Sequence, residues 1–246
     1  MTTYVYGIAA GSHPGLPDGM EGIGKPACTV RILKQGDLAA IVSDAPEDLK
    51  PKRRDLLAHQ NVLSEAGAAG SVLPMRFGSL APDDETVVNV LGERADHYTE
   101  RLRALDGRVE YNVKASHDEQ AVLHQVLAEN PELRAMVEAS QRQGGGSHEQ
   151  KLKLGEAVTS AVRARETSDS VEVRRALEPA AEAVAEGPEG TGWLANISFL
   201  VSREAADGFV AAVDELKSTQ PHLDLKVHGP LPPYSFVDPG PADPAE

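Results

Sequence analysis

Hydrophobic and polar positions change period several times along this 246-residue chain, and each change marks an element. Thr3-Tyr4-Val5-Tyr6-Gly7-Ile8 is β-branched and aromatic and predicts an opening strand. Residues 11–27 are rich in Gly and Pro and predict a loop. Thr29–Lys34 and Leu38–Ser43 are further predicted strands, joined by a hairpin turn at Gln35-Gly36-Asp37. A helix is predicted from Pro51 to about Ala69, with Asp48 as a nearby cap. Leu56, His59, Leu63 and Ala66 share one face of it by i, i+3, i+7 spacing. Ser71–Phe77 is extended and closed by Gly78, and Pro74 confines it to a sheet edge or an irregular segment. Asp83 or Asp84 caps a second helix, from about Glu85 to Leu105, with Val88, Leu91, Ala95, Tyr98 and Leu102 as its stripe.

Asp106-Gly107 is a turn and a predicted boundary. Beyond it Val109, Tyr111, Val113 and Ala115 alternate with Glu110, Asn112 and Lys114, the pattern of a half-buried strand. His117–Arg142 reads as helical, interrupted at Asn130-Pro131. Gly144-Gly145-Gly146-Ser147 reads as a flexible break. An Ala- and Glu-rich helical stretch follows from His148 to about Ala185, perturbed near Ser168-Asp169-Ser170 and at Pro179. A loop at Gly187–Gly192, a strand at Trp193–Ser202, a helix at Glu204–Ser218 and a strand at Leu223–His228 complete the order. The expected fold class is therefore α+β with two domains. Residues 1–105 form an N-terminal mixed α+β domain of order β-β-β-α-β-α. Residues 106–238 form a ferredoxin-like C-terminal domain, modified by a helical insert at 117–186, and 239–246 form a disordered tail. Within the insert Leu152, Val158, Ala161 and Val162 lie on a narrow face, which suits a helix hairpin packed on a sheet.

Near the C-terminus stands Gly229-Pro230-Leu231-Pro232-Pro233-Tyr234-Ser235-Phe236-Val237. Proline fixes φ and removes backbone donors, so the segment reads as extended. In an extended chain Tyr234 and Phe236 point to one side. Its place directly after the last strand makes it a rigid extension that lays both rings against the protein's own body.

Aromatic residues are 4% of the chain, so a core built on its 41% hydrophobic residues relies on Ala, Val and Leu. The formal net charge is −14, which repels phosphate backbones and anionic lipid, so neither nucleic acid nor membrane is an expected partner. The one cysteine, Cys28, excludes an internal disulfide and a cysteine-cluster zinc site. No basic region with a following apolar run opens the chain, and no stretch approaches a membrane span, so a cytosolic location is expected.

Candidate chemistry is sparse. No nucleotide-binding glycine motif is present, because the glycine run at 144–146 lies between helices. His59, with Glu65 off its face and Arg76 further on, could form an acid–base site for an anionic substrate. The structural alternative makes His59 a half-buried histidine bonded across a domain interface and pairs Arg76 with a carboxylate such as Glu110. His117 and His124 would stand about 10 Å apart along a helix, too far for one ion. His222 and His228 flank the last strand with no acidic pair near in sequence, and all four read as surface histidines. No metal, cofactor or catalytic residue is therefore assigned.

Five segments in order carry a family resemblance: Tyr4-Val5-Tyr6-Gly7-Ile8, Val72-Leu73-Pro74-Met75-Arg76-Phe77-Gly78, Val109-Glu110-Tyr111-Asn112-Val113-Lys114, Asn196-Ile197-Ser198-Phe199-Leu200-Val201, and Gly229-Pro230-Leu231-Pro232-Pro233-Tyr234-Ser235-Phe236. Together they resemble the gas vesicle proteins GvpL and GvpF over nearly the whole chain. At the position of Leu231 that family usually carries Trp. The resemblance implies a minor, non-enzymatic component of gas vesicle assembly. It implies two α+β domains, the second a modified ferredoxin fold, and no catalytic residues. It further implies binding to the small hydrophobic shell protein and to other gas vesicle accessory proteins, support of early assembly, and a place at the gas-facing side of the shell. The residues expected to serve structure or partner contact are His59, Arg76, Phe77, Val158, Val162, Pro232, Pro233, Tyr234 and Phe236. The competing expectation is a small-molecule enzyme or sensor with a ferredoxin-like pocket near His59 and Arg76. A third, an RNA-binding sheet, is opposed by the charge.

Overall fold

A computed structural model describes residues 1–142, 144, 147–188 and 192–238. Most of the expected glycine break at 145–146, residues 189–191 of the expected loop, and the expected disordered tail at 239–246 lie outside the described residues. The chain divides into two compact units, Met1–Glu110 with the segment from Pro230 onward, and Tyr111–Gly229.

In the first unit the aromatic opening run is the strand β1 (Thr3–Ala10), and the hairpin is β2 (Arg31–Gln35) and β3 (Leu38–Asp44). Gly36 turns the hairpin at φ 56°, a left-handed conformation that glycine adopts without a Cβ clash. Strands β4 (Val72–Pro74) and β5 (Leu80–Ala81) complete the sheet. The order is β2-β3-β1-β4, with β5 also on β1. β1 is antiparallel to β3 from Thr3 opposite Asp44 to Ala10 opposite Leu38, with a register shift between Val5 and Gly7. Pro74 lies in β4 at the sheet edge, where its missing N–H removes no ladder bond.

Helices α1 (Arg53–Ala69), α2 (Asp84–Glu93) and α3 (Ala95–Ala104) cover this sheet. Three expectations need correction. The buried face of α1 is Asp55, His59, Val62, Leu63 and Ala66, whereas Leu56 is 42% exposed. Asp55 and His59 find interior partners, so two polar residues set the register of that face. Asp48 is no cap, since it pairs with Lys50 and Lys52, and the N-cap position is Lys52 without a side-chain bond. The single helix expected over 85–105 is broken at Arg94, where φ is −113° and ψ 23°. Asp83 is the cap, its carboxylate accepting from Thr86 N–H.

The second unit has the strands β6 (Arg108–His117), β7 (Ala183–Glu186), β8 (Ala195–Ser202) and β9 (Leu223–Leu231), with the order β7-β8-β6-β9. The unit boundary falls inside β6 and inside β9. Helices α4 (Glu119–Glu129), α5 (Pro131–Arg142) and α6 (His148–Leu177) follow β6, and α7 (Ala206–Thr219) links β8 to β9. Asn130-Pro131 separates α4 from α5, as proline stiffness requires. Ser147 and Gln150 form a capping box that starts α6. That helix ends at Leu177, not near Ala185, because a 3₁₀ turn containing Pro179 (Glu178–Ala180) follows it. Ala183–Glu186 is then a strand, paired antiparallel with β8 from Ala183 opposite Leu200 to Glu186 opposite Ile197. Ladder pairing overrides the helical preference of Ala and Glu there. Aromatic packing fixes the sheet to α7: the Phe209 ring lies 5.1 Å from Tyr111 and 5.2 Å from Phe199.

After β9 the chain does not stay extended. Tyr234–Phe236 is a single 3₁₀ turn, with Phe236 N–H bonded to the Pro233 carbonyl at 3.1 Å. The segment from Pro230 onward groups with the first unit, whereas the sequence reading placed all of 106–238 in a second domain. The physical reason is its bonding to Arg101 and Glu110.

Candidate functional site

Among the described residues a buried polar centre lies in each unit. The first is built around His59, which is 4% exposed. β1 contributes Tyr4 and Tyr6, both fully buried, and the segment after β4 contributes Met75 and Phe77. Tyr4 Oη lies 2.8 Å from His59 Nδ1, and His59 Nε2 lies 3.1 Å from the Met75 carbonyl. A carbonyl only accepts, so Nε2 carries the proton and Nδ1 accepts from Tyr4. Tyr4 in turn accepts from Gly78 N–H at 3.2 Å. The result is one directed chain: Gly78 N–H to Tyr4 O–H to His59 to Met75 C=O. Rings complete the cage, with His59 stacked on Tyr6 at 5.5 Å and edge-on to Phe77 at 5.8 Å. Burial pushes the His59 pKa below its ordinary value, against the opposing bond to Met75. Both ring nitrogens are committed within the first unit, so His59 is neither an exposed base nor a half-buried residue bonded across a domain interface.

The C-terminal segment docks on the same unit. Ser235 donates to Glu110 twice, N–H to Oε2 and Oγ to Oε1, each at 2.8 Å. Arg101 donates to the carbonyls of Phe236 at 2.7 Å and Val237 at 3.1 Å. Tyr234 packs against the cluster of Tyr4, Tyr6, Val62 and Leu63, and Pro233 and Phe236 are buried. Burial, with the Glu110 charge as a lesser cause, raises the Tyr234 hydroxyl to about 12. Thus the structure gathers His59, Phe77, Pro233, Tyr234 and Phe236 into one unit. Pro232 is half-buried beside them in the chain. Arg76 stays outside: it is exposed, and among the described residues it pairs with no carboxylate. Glu110, its expected partner, is taken by Ser235. Val158 and Val162 are half-buried against Val122, Val126 and Leu133, the helical packing that their spacing predicts.

The second centre was missed by sequence reasoning. His117 at the end of β6, Asp169 on α6 and His222 just before β9 converge, with their donor atoms all within 4.8 Å of one another. His117 Nε2 lies 2.8 Å and His222 Nε2 2.9 Å from the same oxygen, Asp169 Oδ2. Arg165, one turn before Asp169, donates Nε–H to Asp169 Oδ2 at 3.1 Å, with Oδ1 in ion-pair contact at 2.9 Å, and donates Nη1–H to both oxygens of Glu129 at 2.8 Å. Burial disfavours the Asp169 carboxylate, but bonds from His117, Arg165 and His222 outweigh it and hold the pKa below the ordinary value. His117 and His222 are therefore not surface histidines, though His124 and His228 are exposed. Among the described residues this trio is the set with the donor chemistry of a metal site. Its signal was in the sequence. His117 continues the inward parity of Val113 and Ala115, and Asp169 shares the i, i+4, i+8 stripe of Val173 and Leu177.

Comparison with known proteins covers the whole fold. Residues 2–238 match the profile of the family described as gas vesicle synthesis protein GvpL/GvpF. A relative from Streptomyces sp. (strain CB03234), gas vesicle protein F, is 66% identical over 97% of this chain and 100% of its own. Gas vesicle protein L of the same strain is 30% identical over 95% of this chain and 92% of its own. The crystal structure of the gas vesicle protein GvpF from Anabaena sp. PCC7120 superposes with a TM-score of 0.74 at 26% identity, over 97% of this chain and 99% of that one.

Proposed function

Because the chain belongs to the GvpL/GvpF family of gas vesicle synthesis proteins, we propose that it is a non-catalytic accessory protein of F type that binds the small hydrophobic shell protein and supports shell nucleation or growth. The observation that carries this reading is the 66% identity to a gas vesicle protein F over the full length of that relative. A hydrophobic subunit exposes aggregation-prone surface before it is incorporated. An acidic accessory protein that covers part of that surface keeps it competent for assembly, and retention at the gas-facing side of the shell follows from such contact. Other gas vesicle proteins are its expected partners. The second unit is read as a modified ferredoxin-like domain: its order β-α-β-β-α-β, with β6 and β8 central, supports this.

The enzyme reading loses its main residue, since His59 has both nitrogens bonded inside a cage and Arg76 points to solvent. For shell contact, Val158 and Val162 are poor probes, because charges there disrupt helix packing. Leu152, 56% exposed, and Val171, 64% exposed, are the accessible apolar positions of α6. The test is co-purification with intact vesicles through a strong urea wash, together with pull-down of the shell protein by wild type and by Leu152→Glu/Val171→Glu. Retention and capture by wild type, reduced in the folded variant, are expected. Absence of both from wild type overturns the proposal, and undiminished capture by the variant removes this face from it.

A further inference from the structure

The His117–Asp169–His222 cluster cannot satisfy itself by hydrogen bonding alone. Both rings direct Nε2 at one oxygen, and Arg165 Nη2 stands 3.3 Å from His222 Nε2. If that nitrogen carries a proton toward Asp169, it turns an N–H group toward the N–H of Arg165. If it does not, it accepts from Arg165 and sets its lone pair against Asp169 Oδ2 at 2.9 Å. Each tautomer leaves one repulsive contact, at residues only 2% exposed. A divalent cation removes the conflict by taking the lone pairs of both rings and of the carboxylate. No proton is then needed between them.

We propose that His117, Asp169 and His222 form a binding site for a first-row divalent metal of the zinc class. Two imidazoles and one carboxylate suit zinc, cobalt or nickel better than calcium or magnesium, which prefer all-oxygen sets. The three donors come from three separate elements, so the ion would tie the end of β6, α6 and the approach to β9 together. The three donor atoms already lie within 4.8 Å of one another. Ligands on a tetrahedral ion with bonds near 2.0–2.1 Å stand about 3.3 Å apart, against 2.8 and 2.9 Å between the donors here. Arg165 is the competing cation. Its guanidinium holds Asp169 in the metal-free state and must turn outward when an ion enters. Glu129 is half-exposed and bonded to Nη1 through both oxygens, so Arg165 can turn outward without losing its counter-ion. With neutral imidazoles, Asp169 and Glu129 outweigh Arg165 by one negative charge, which favours cation entry. Among the described residues His117 Nδ1 is buried without a partner, so the bound ring lacks the usual outer acceptor and affinity is lower than at a closed structural zinc site.

The experiment uses tag-free full-length protein, stripped of metal and titrated with Co²⁺ and then Zn²⁺. One equivalent of Co²⁺ should give a visible d–d spectrum that Zn²⁺ bleaches, and Zn²⁺ should raise the thermal midpoint. His117→Gln/His222→Gln should abolish the spectrum. Arg165→Gln, which removes the competing charge, should tighten binding at least tenfold. Far-UV circular dichroism of each metal-free variant establishes that it is folded. The proposal is overturned if neither wild type nor folded Arg165→Gln binds an equivalent of either metal. It is equally overturned if wild-type binding survives in the folded double-histidine variant.

Discussion

Tyr4→Phe isolates the polar chain through His59. The substitution keeps the ring and its contacts with Tyr6 and Phe77 and deletes one oxygen. Two groups then lose their partner: His59 Nδ1, at 2.8 Å from that oxygen, and Gly78 N–H, at 3.2 Å. An unsatisfied buried group costs about 1–3 kcal/mol. His59 is buried and takes a full share, while Gly78 is exposed and recovers part of its loss from water. The sum is about 2–4 kcal/mol, or roughly 30- to 700-fold in the opening equilibrium. Native-state hydrogen exchange at the β1 amides reads that equilibrium in the first unit directly. Tyr6→Phe is the companion: its hydroxyl accepts from Ile23 N–H at 2.9 Å and meets Ser43 Oγ at 3.1 Å, without touching His59. A loss of similar size is expected there, and the two losses should add within about 0.5 kcal/mol if the chains are independent. If β1 exchange in Tyr4→Phe stays within about threefold of wild type, a shift under 0.7 kcal/mol, the hydroxyl does not hold His59 and the directed chain fails.

Two further outcomes follow from the same unit. His59 is depressed by burial, so between the ordinary imidazole value near 6.5 and its lower folded value the unfolded chain binds the extra proton. Stability is then level above that window and falls by up to about 1.4 kcal/mol per pH unit as pH drops through it; urea melts of wild type and His59→Gln between pH 7.5 and 5 should differ by this slope, and a flat difference contradicts it. At the tail, Arg101→Ala removes both bonds to the carbonyls of Phe236 and Val237 and should cost about 1–3 kcal/mol of local docking. Limited proteolysis should then cut the C-terminal segment faster, as should Ser235→Ala, and unchanged cleavage in both would show that these bonds do not fasten it.

Patterns confined to neighbouring residues were readable in advance. The aromatic strand at Tyr4–Ile8, the Gln35-Gly36-Asp37 hairpin, the alternation from Val109 to Ala115 and the Asn130-Pro131 break all follow from local chemistry. What depends on distant partners was not. Asp55 and His59 displace Leu56 from the buried face of α1 because Gly24 and Met75 receive them. Ala183–Glu186 has a helical composition and becomes a strand because β8 offers a free edge. Tyr234 and Phe236 leave the extended line because Glu110 and Arg101 capture the backbone around them. The resemblance to gas vesicle proteins, resting on five short segments, is borne out over residues 2–238. The His117 and Asp169 positions obeyed the periodicity of their elements, and only the habit of pairing histidines that are close in sequence hid them.

The first unit joins residues 1–110 to the segment from Pro230 onward, and this dictates when it can form during synthesis. Arg101 and Phe236 are separated by 135 residues, and Glu110 and Ser235 by 125. At roughly 5–20 residues per second a ribosome needs about 7–27 s to bridge the first of these gaps. Throughout that time Tyr4, Tyr6 and Leu63 lack the cover that Tyr234 provides. A polypeptide released before residue 234 therefore leaves those rings uncovered, so the N-terminal unit closes only after a segment 125 residues beyond Glu110 has been made.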